Sequence, residues 1–214
     1  MYYAQVHQQA HQPSRTITVT GNGHVMAVPT SAQLQIEVQT QGKNVQIPQQ
    51  DNAVIMNQVI QALMALDIPK EKIQTATYTI TPLYNFENDK QVFNGYEVNN
   101  AIIVNITNID NIGLIIDTAI ENGANRITNI QFNVDHTDDY YQQALSLALH
   151  NAQRKATTIA ETMRIALPPL PIEIIEEPAN TPVLYRSMAD FSGATPIEQG
   201  QITIHATVRV KFQY

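Results

Sequence analysis

An α+β fold is predicted for this chain, with helices packed on one side of mixed β-sheets. Three observations predict it. Apolar residues recur at every second position in several short stretches, and they switch to helical spacing in three others. The two kinds of stretch follow one another in the order β-β-α-β-β-α-β-α-β-β. A faint repeat of strand, helix, strand occurs twice along this order, so two interleaved β-α-β-containing subdomains are expected within one folded region over residues 15–214.

Residues 1–14 are polar and irregular and are expected to form a disordered tail. The alternating run from Thr16 to Thr20 then meets Gly21, Asn22 and Gly23, which reads as a half-buried strand entering a tight turn. Residues 32–40 alternate most cleanly, placing Ala32, Leu34, Ile36 and Val38 on one face. From about 48 to 66 the period changes: Ile55, Val59, Leu63 and Leu66, flanked by Met56 and Ile60, form a helical stripe. Asp51 is its candidate cap, and Asp67, Ile68 and Pro69 its stop.

Residues 72–86 and 91–107 read as the arms of a long hairpin turned by Glu87, Asn88, Asp89 and Lys90. Pro82 assigns part of it to an edge or a bulge. A short helix carries Ile112, Ile115, Ile116, Ala119 and Ile120, with Asn108 or Asp110 as cap and Gly123 as stop, and residues 127–134 form the next strand. The longest helix is expected over about 138–164, capped by Thr137 or Asp138. Its Ala144, Ala148, Ala152, Ala156 and Ala160 repeat every four residues, and Tyr141, Leu145, Leu149, Ile159 and Met163 widen that face. Such an alanine-faced helix permits close backbone approach to a sheet or to another helix. Prolines 168, 169 and 171 break it, and residues 172–175 form a strand. Residues 177–199 look irregular, with Pro178, Pro182 and Pro196, before a final alternating strand over 201–212. A loop of that length packs, binds or moves.

Composition excludes several chemistries. Hydrophobic residues make up 43% of the 214 and charged residues only 14%, so Asn, Gln and Thr carry much of the surface polarity. That balance suits a β-rich globular chain rather than disorder. The net charge is -7 with only 12 Lys and Arg, scattered along the chain, so nucleic acid is not an expected partner. With no cysteine, thiolate nucleophiles, disulfides and Cys-ligated metals are ruled out. No apolar run approaches the roughly 20 residues of a transmembrane helix.

No catalytic, cofactor-binding or metal-binding residue is assigned. Gly21, Asn22 and Gly23 lack the third glycine of a phosphate loop and precede another strand. The carboxylates of Asp135, Asp138 and Asp139, beside the His136 imidazole, could hold a hard cation, but they are read as a strand-to-helix junction in which Thr137 or Asp138 caps and the acids meet the helix dipole. His7, His11, His24, His136, His150 and His205 form no paired-ligand motif, and His205 is assigned a surface or hydrogen-bonded structural role. Ser14, Ser31, Ser146, Ser187 and Ser192 lie in no nucleophile elbow. Glu173, Glu176 and Glu177 are read as solvent-facing strand positions. Tyr84, Tyr96, Tyr140 and Tyr141 either pack at subunit contacts or line the core.

In their order and spacing, several of these pieces resemble the SIMPL-domain family, also known as domain of unknown function 541. The matching pieces are residues 16–23, Pro29 before the 32–38 strand, Ile73 to Thr75, Pro82 with Tyr84, Gly95 with Tyr96, and Val98 to Asn100. They continue through Gly123 to Asn125, Ile127, Phe132, the alanine-spaced helix, Glu176, Thr195 to Ile197, and Gly200. The resemblance implies two plait-like halves, homo-oligomers in some members, and no defined enzymatic activity. It also implies an indirect link to stress tolerance or the cell envelope. The expected function is therefore a non-enzymatic, self-assembling structural protein using the long hairpin, the alanine-faced helix or both, with no cofactor. The alternative is a module that binds a small molecule, of unknown identity, or a protein, using the 177–199 segment and the tyrosine-bearing hairpin. Residues 1–13 show neither a basic nor an apolar signal-peptide region, which favours a cytoplasmic location unless the N-terminus was trimmed from an exported precursor.

Overall fold

The computed structural model describes residues 15–165, 169–178, 183–185 and 195–214. The tail expected over 1–14 lies outside them, as does most of the segment expected to be irregular over 177–199. The strands and helices are β1 (Thr16–Ala27), β2 (Ser31–Gly42), α1 (Gln46–Ala65), β3 (Ile73–Glu87), β4 (Lys90–Ile106), α2 (Ile112–Glu121), β5 (Arg126–Asn133), α3 (Thr137–Met163), β6 (Leu170–Glu177), β7 (Val183–Tyr185) and β8 (Gln201–Gln213). The fold is α+β, with two sheets and three α-helices among the described residues. One compact unit contains β1, α3, β6 and most of β8, and the other contains β2 to β5 with α1 and α2.

In the second unit the strand order is β3-β4-β2-β5, and all three neighbouring pairs are antiparallel. This corrects the expected mixed sheet. Each strand-helix-strand passage joins strands of like direction, but β4 lies between β2 and β3, and β2 lies between β4 and β5. The result is a split β-α-β arrangement, in which alternation along each strand cannot reveal the intervening neighbour. Ala32, Leu34, Ile36 and Val38 are buried as the alternation requires, and α1 lies against β2, β4 and α2.

Helix α1 begins earlier than expected, so Asp51 is an exposed residue within it rather than its cap. The start is set instead by Asn44, whose Oδ1 accepts the Gln46 N–H at 3.0 Å and whose carbonyl accepts the Ile47 N–H at 3.3 Å. Pro48 sits in the first turn, where its missing N–H costs nothing. The buried stripe is Pro48, Asn52, Met56, Val59 and Leu63, leaving Ile55, Ile60 and Leu66 half-buried. Asp67 then takes a left-handed φ of 60° and ends the helix. Neither Asn108 nor Asp110 caps α2, which a short 3-10 turn at Ile109–Asn111 leads in.

In the first unit, β1, β8 and β6 lie side by side in that order. Strand β1 runs unbroken through Gly21, Asn22 and Gly23, so the expected turn there is a strand interior. The glycines serve close approach to α3. A Cβ on Gly21 would stand 2.1 Å from the Ala148 carbonyl oxygen, and one on Gly23 would stand 2.0 Å from that of Ala144. Two strand residues advance about 6.6–6.8 Å and four helical residues about 6 Å. Glycines two apart therefore match alanines four apart. Ala144, Ala148, Ala152, Ala156 and Ala160 are fully buried and cluster with Ile17, Ala206, Val208, Val210 and Phe212. Tyr141 and Leu145 pack beside this core, whereas Leu149, Ile159 and Met163 are exposed, so the buried face is narrower than expected.

Candidate functional site

A broad exposed apolar surface lies on the β3–β4 hairpin, with Tyr78, Ile80, Tyr84, Phe86, Val92 and Phe93 all exposed. Asn88 and Asp89 form its turn with φ of 48° and 58°, the positive values that a tight two-residue hairpin requires. Among the described residues β3 is an edge strand of 15 residues in which only Ile73 and Leu83 are even half-buried. Tyr78 and Ile80 pair with Asn100 and Val98, and because Val98 is buried on the helix-bearing face, Tyr78 and Ile80 project on that side too. The register slips at Asn94, between the Leu83–Gly95 and Tyr84–Phe93 pairs. Across this bulge the rings of Tyr84, Phe93 and Tyr96 form an edge-to-face chain with centroids 5.9 and 5.2 Å apart. Phe86 is 74% exposed, Tyr84 51% and Tyr78 48%.

A second cluster was not legible in the sequence. Glu37 occupies a polar position in the alternating β2 strand yet is only 4% exposed. Its Oε1 accepts from Gln35 Nε2 at 2.9 Å and Thr128 Oγ1 at 2.8 Å, and its Oε2 accepts from Asn99 Nδ2 at 3.3 Å. Arg126 Nε lies 3.7 Å from Oε2. Burial pushes the Glu37 pKa up, but the three hydrogen bonds and the Arg126 charge outweigh it, so the net shift is below the ordinary glutamate value. Glu37 thus stays ionised as a hydrogen-bond acceptor and is poorly suited to donate a proton. Nearby, Asn125 acts as a strand extension: its Oδ1 accepts the Gln39 N–H at 2.9 Å, and its Nδ2 donates to the Gln39 carbonyl at 2.7 Å. The sequence signal was Gly123 preceding Asn125, since Gly123 takes a φ of 102° that re-aims the chain into β5.

The residues weighed for chemistry are dispersed. Asp135 to Asp139 form a junction in which the Asp135 N–H donates to Thr30 Oγ1 at 2.8 Å, His136 is left-handed with φ 56°, and Asp138 and Asp139 begin α3. There the carboxylates meet the positive end of the helix dipole. Among the described residues no group of three or more His, Asp or Glu could hold a metal ion. Tyr141 Oη donates to Glu176 at 2.6 Å, which raises the tyrosine pKa, and Glu177 pairs with Arg209 at 2.7 Å. Tyr84 and Tyr96 lie in one unit, and Tyr140 and Tyr141 in the other. Thr195 Oγ1 donates to Asp117 Oδ1 at 2.5 Å, tying that residue to α2. His150 Nδ1 lies 2.8 Å from the Ser146 carbonyl within α3. His7, His11, Ser14, Ser187 and Ser192 lie outside the described residues, as does most of the 177–199 segment assigned to the alternative binding module.

Among relatives, the 26 kDa periplasmic immunogenic proteins of Brucella melitensis biotype 1 and Brucella abortus strain S19 are each 27% identical over 227 residues, covering 99% of this chain and 89% of the relative. The uncharacterized protein YggE of Escherichia coli K12 is 27% identical over 154 residues, covering 72% of this chain and 63% of its own length. The periplasmic designation of the Brucella relatives overturns the expectation of a cytoplasmic location. That expectation leaned on the polar character of residues 1–13, which does not decide a compartment, because targeting segments in general are removed from mature proteins. Among the described residues no helix is long and apolar enough to cross a membrane. The family model described as SIMPL, protein of unknown function (DUF541), matches residues 17–212, and the chain belongs to that family.

Proposed function

We propose that this chain is a non-enzymatic structural protein that assembles with further copies of itself through β3 and the β3–β4 hairpin. The observation that carries this reading is the character of the edge. Folded proteins protect long edge strands with charges, prolines or covering elements, because unpaired N–H and C=O groups recruit other strands. Strand β3 has one charged residue, Glu87 at its end, and one proline, Pro82, along 15 residues. Its aromatic and aliphatic side chains are exposed beside those open backbone groups. The carboxylates of Glu37, Glu176, Glu177 and Asp117 are each engaged by a neighbouring side chain, which supports a structural role for them.

The scaffold of this assembly is a pair of plait-like halves, one inserted within the other, a reading supported by the split β-α-β order of the second unit and the interrupted chain of the first. A periplasmic location and an indirect role in stress tolerance or the cell envelope belong to the same reading, the former supported by the designation of the Brucella relatives. Light scattering coupled to size exclusion tests it. The full chain is expected to elute as a discrete species of several times the single-chain mass, and a monomer across a wide concentration range would overturn the proposal.

A further inference from the structure

Strands β1 and β8 are neighbours in their sheet, and they bring together two histidines on the side turned away from α3. Parity assigns the face. Gly21 and Gly23 meet the helix, as do Ala206 and Val208, so Asn22 and His24 on β1 and His205 and Thr207 on β8 project oppositely. Thr207 Oγ1 donates to Asn22 Oδ1 at 3.3 Å, joining the two strands beside the histidines. The imidazole centroids of His24 and His205 are 6.0 Å apart with a tilt of 41°. His24 is exposed and His205 half-buried.

We propose that this cross-strand pair binds a divalent late transition-metal ion such as Zn2+, with one ring nitrogen from each histidine and water completing the shell. Imidazole is a preferred ligand for ions of this class. A metal–nitrogen bond of about 2.0–2.1 Å puts each ring centroid roughly 3 Å from the ion, so two ligating rings stand about 5–6 Å apart. The observed separation of 6.0 Å stands at the upper end of that range. Both rings grow from adjacent paired strands, so little chain ordering opposes binding. On the same face Glu177 and Arg209 form an ion pair whose charges offset each other. With two protein ligands the site is open and exchangeable, unlike a closed four-ligand structural site. Its consequence is mechanical, since the ion ties the first strand of the described fold to the last and stabilises the folded state by mass action.

Calorimetric titration of the full chain with Zn2+ tests the proposal. A saturable component of micromolar affinity is expected, weakened at least about tenfold in either His24→Gln or His205→Gln and retained when His7 and His11 are both changed to Gln. Zn2+ should raise the melting temperature of the wild-type chain and leave that of each single variant unmoved. No saturable binding, undiminished binding in the single variants, or loss confined to the His7/His11 variant would each overturn it. Should His205→Gln fail to fold, the exposed His24→Gln decides alone.

Discussion

Glu37 is held by four side chains, Gln35, Asn99, Thr128 and Arg126, from three neighbouring strands. Its folded pKa lies below the unfolded value of about 4.3, because the hydrogen bonds and the positive charge favour the carboxylate more than burial opposes it. The stability contributed by this ionisation is fully present above the unfolded pKa and is lost as pH falls through the lower folded value. Replacing Glu37 with Gln should cost about 1–2 kcal/mol at neutral pH, since a charge-assisted acceptor is removed from three donors. Urea unfolding at pH 7 and near pH 3 is the measurement, and the difference between the two proteins should narrow at the acidic end. Alternation correctly put Glu37 opposite Leu34, Ile36 and Val38. Its burial was illegible, because Asn99 and Thr128 are far away in the chain and only strand pairing brings them beside it.

Strand β1 and helix α3 show how small residues can be read correctly and explained wrongly. The paired glycines resembled a turn because glycine is the usual turn residue, yet here they leave room for helix backbone. A glycine-to-alanine change within an ordinary strand is mildly stabilising, because it reduces the freedom of the unfolded chain. At Gly21 the sign should reverse. The added methyl meets the Ala148 carbonyl at 2.1 Å, and the backbone there cannot rotate away. Gly21→Ala is therefore expected to destabilise by at least about 2–3 kcal/mol, read as a lower urea midpoint with an unchanged slope. The alanine repeat, the hairpin and the approximate span of every helix were legible, since each rests on spacing within one segment. The start of α1 was not: the Asn44 side chain accepts the Gln46 N–H in a local turn ahead of a proline-containing first turn, and the regular helical spacing of apolar residues shows only beyond it.

For the molecule as a whole, the open edge at β3 carries the functional reading. Tyr78 and Ile80 are 48% and 40% exposed, so replacing both with Lys leaves the buried core untouched while placing charge along the unpaired strand. The variant is expected to fold with a melting temperature close to that of the wild type but to scatter light as a single chain. Retention of the large species would show that assembly uses another surface. The α+β class, the element order apart from the short β7 strand in the segment read as irregular, and the family resemblance follow from the amino-acid order, because periodicity and turn residues act over a few neighbouring residues. Sheet order, the antiparallel pairing of β2 with both β4 and β5, the burial of Glu37, the role of Gly21 and Gly23 and the meeting of His24 with His205 were decided only by the folded chain. Each depends on partners far apart in sequence, and no local pattern records which distant strand or helix will lie alongside.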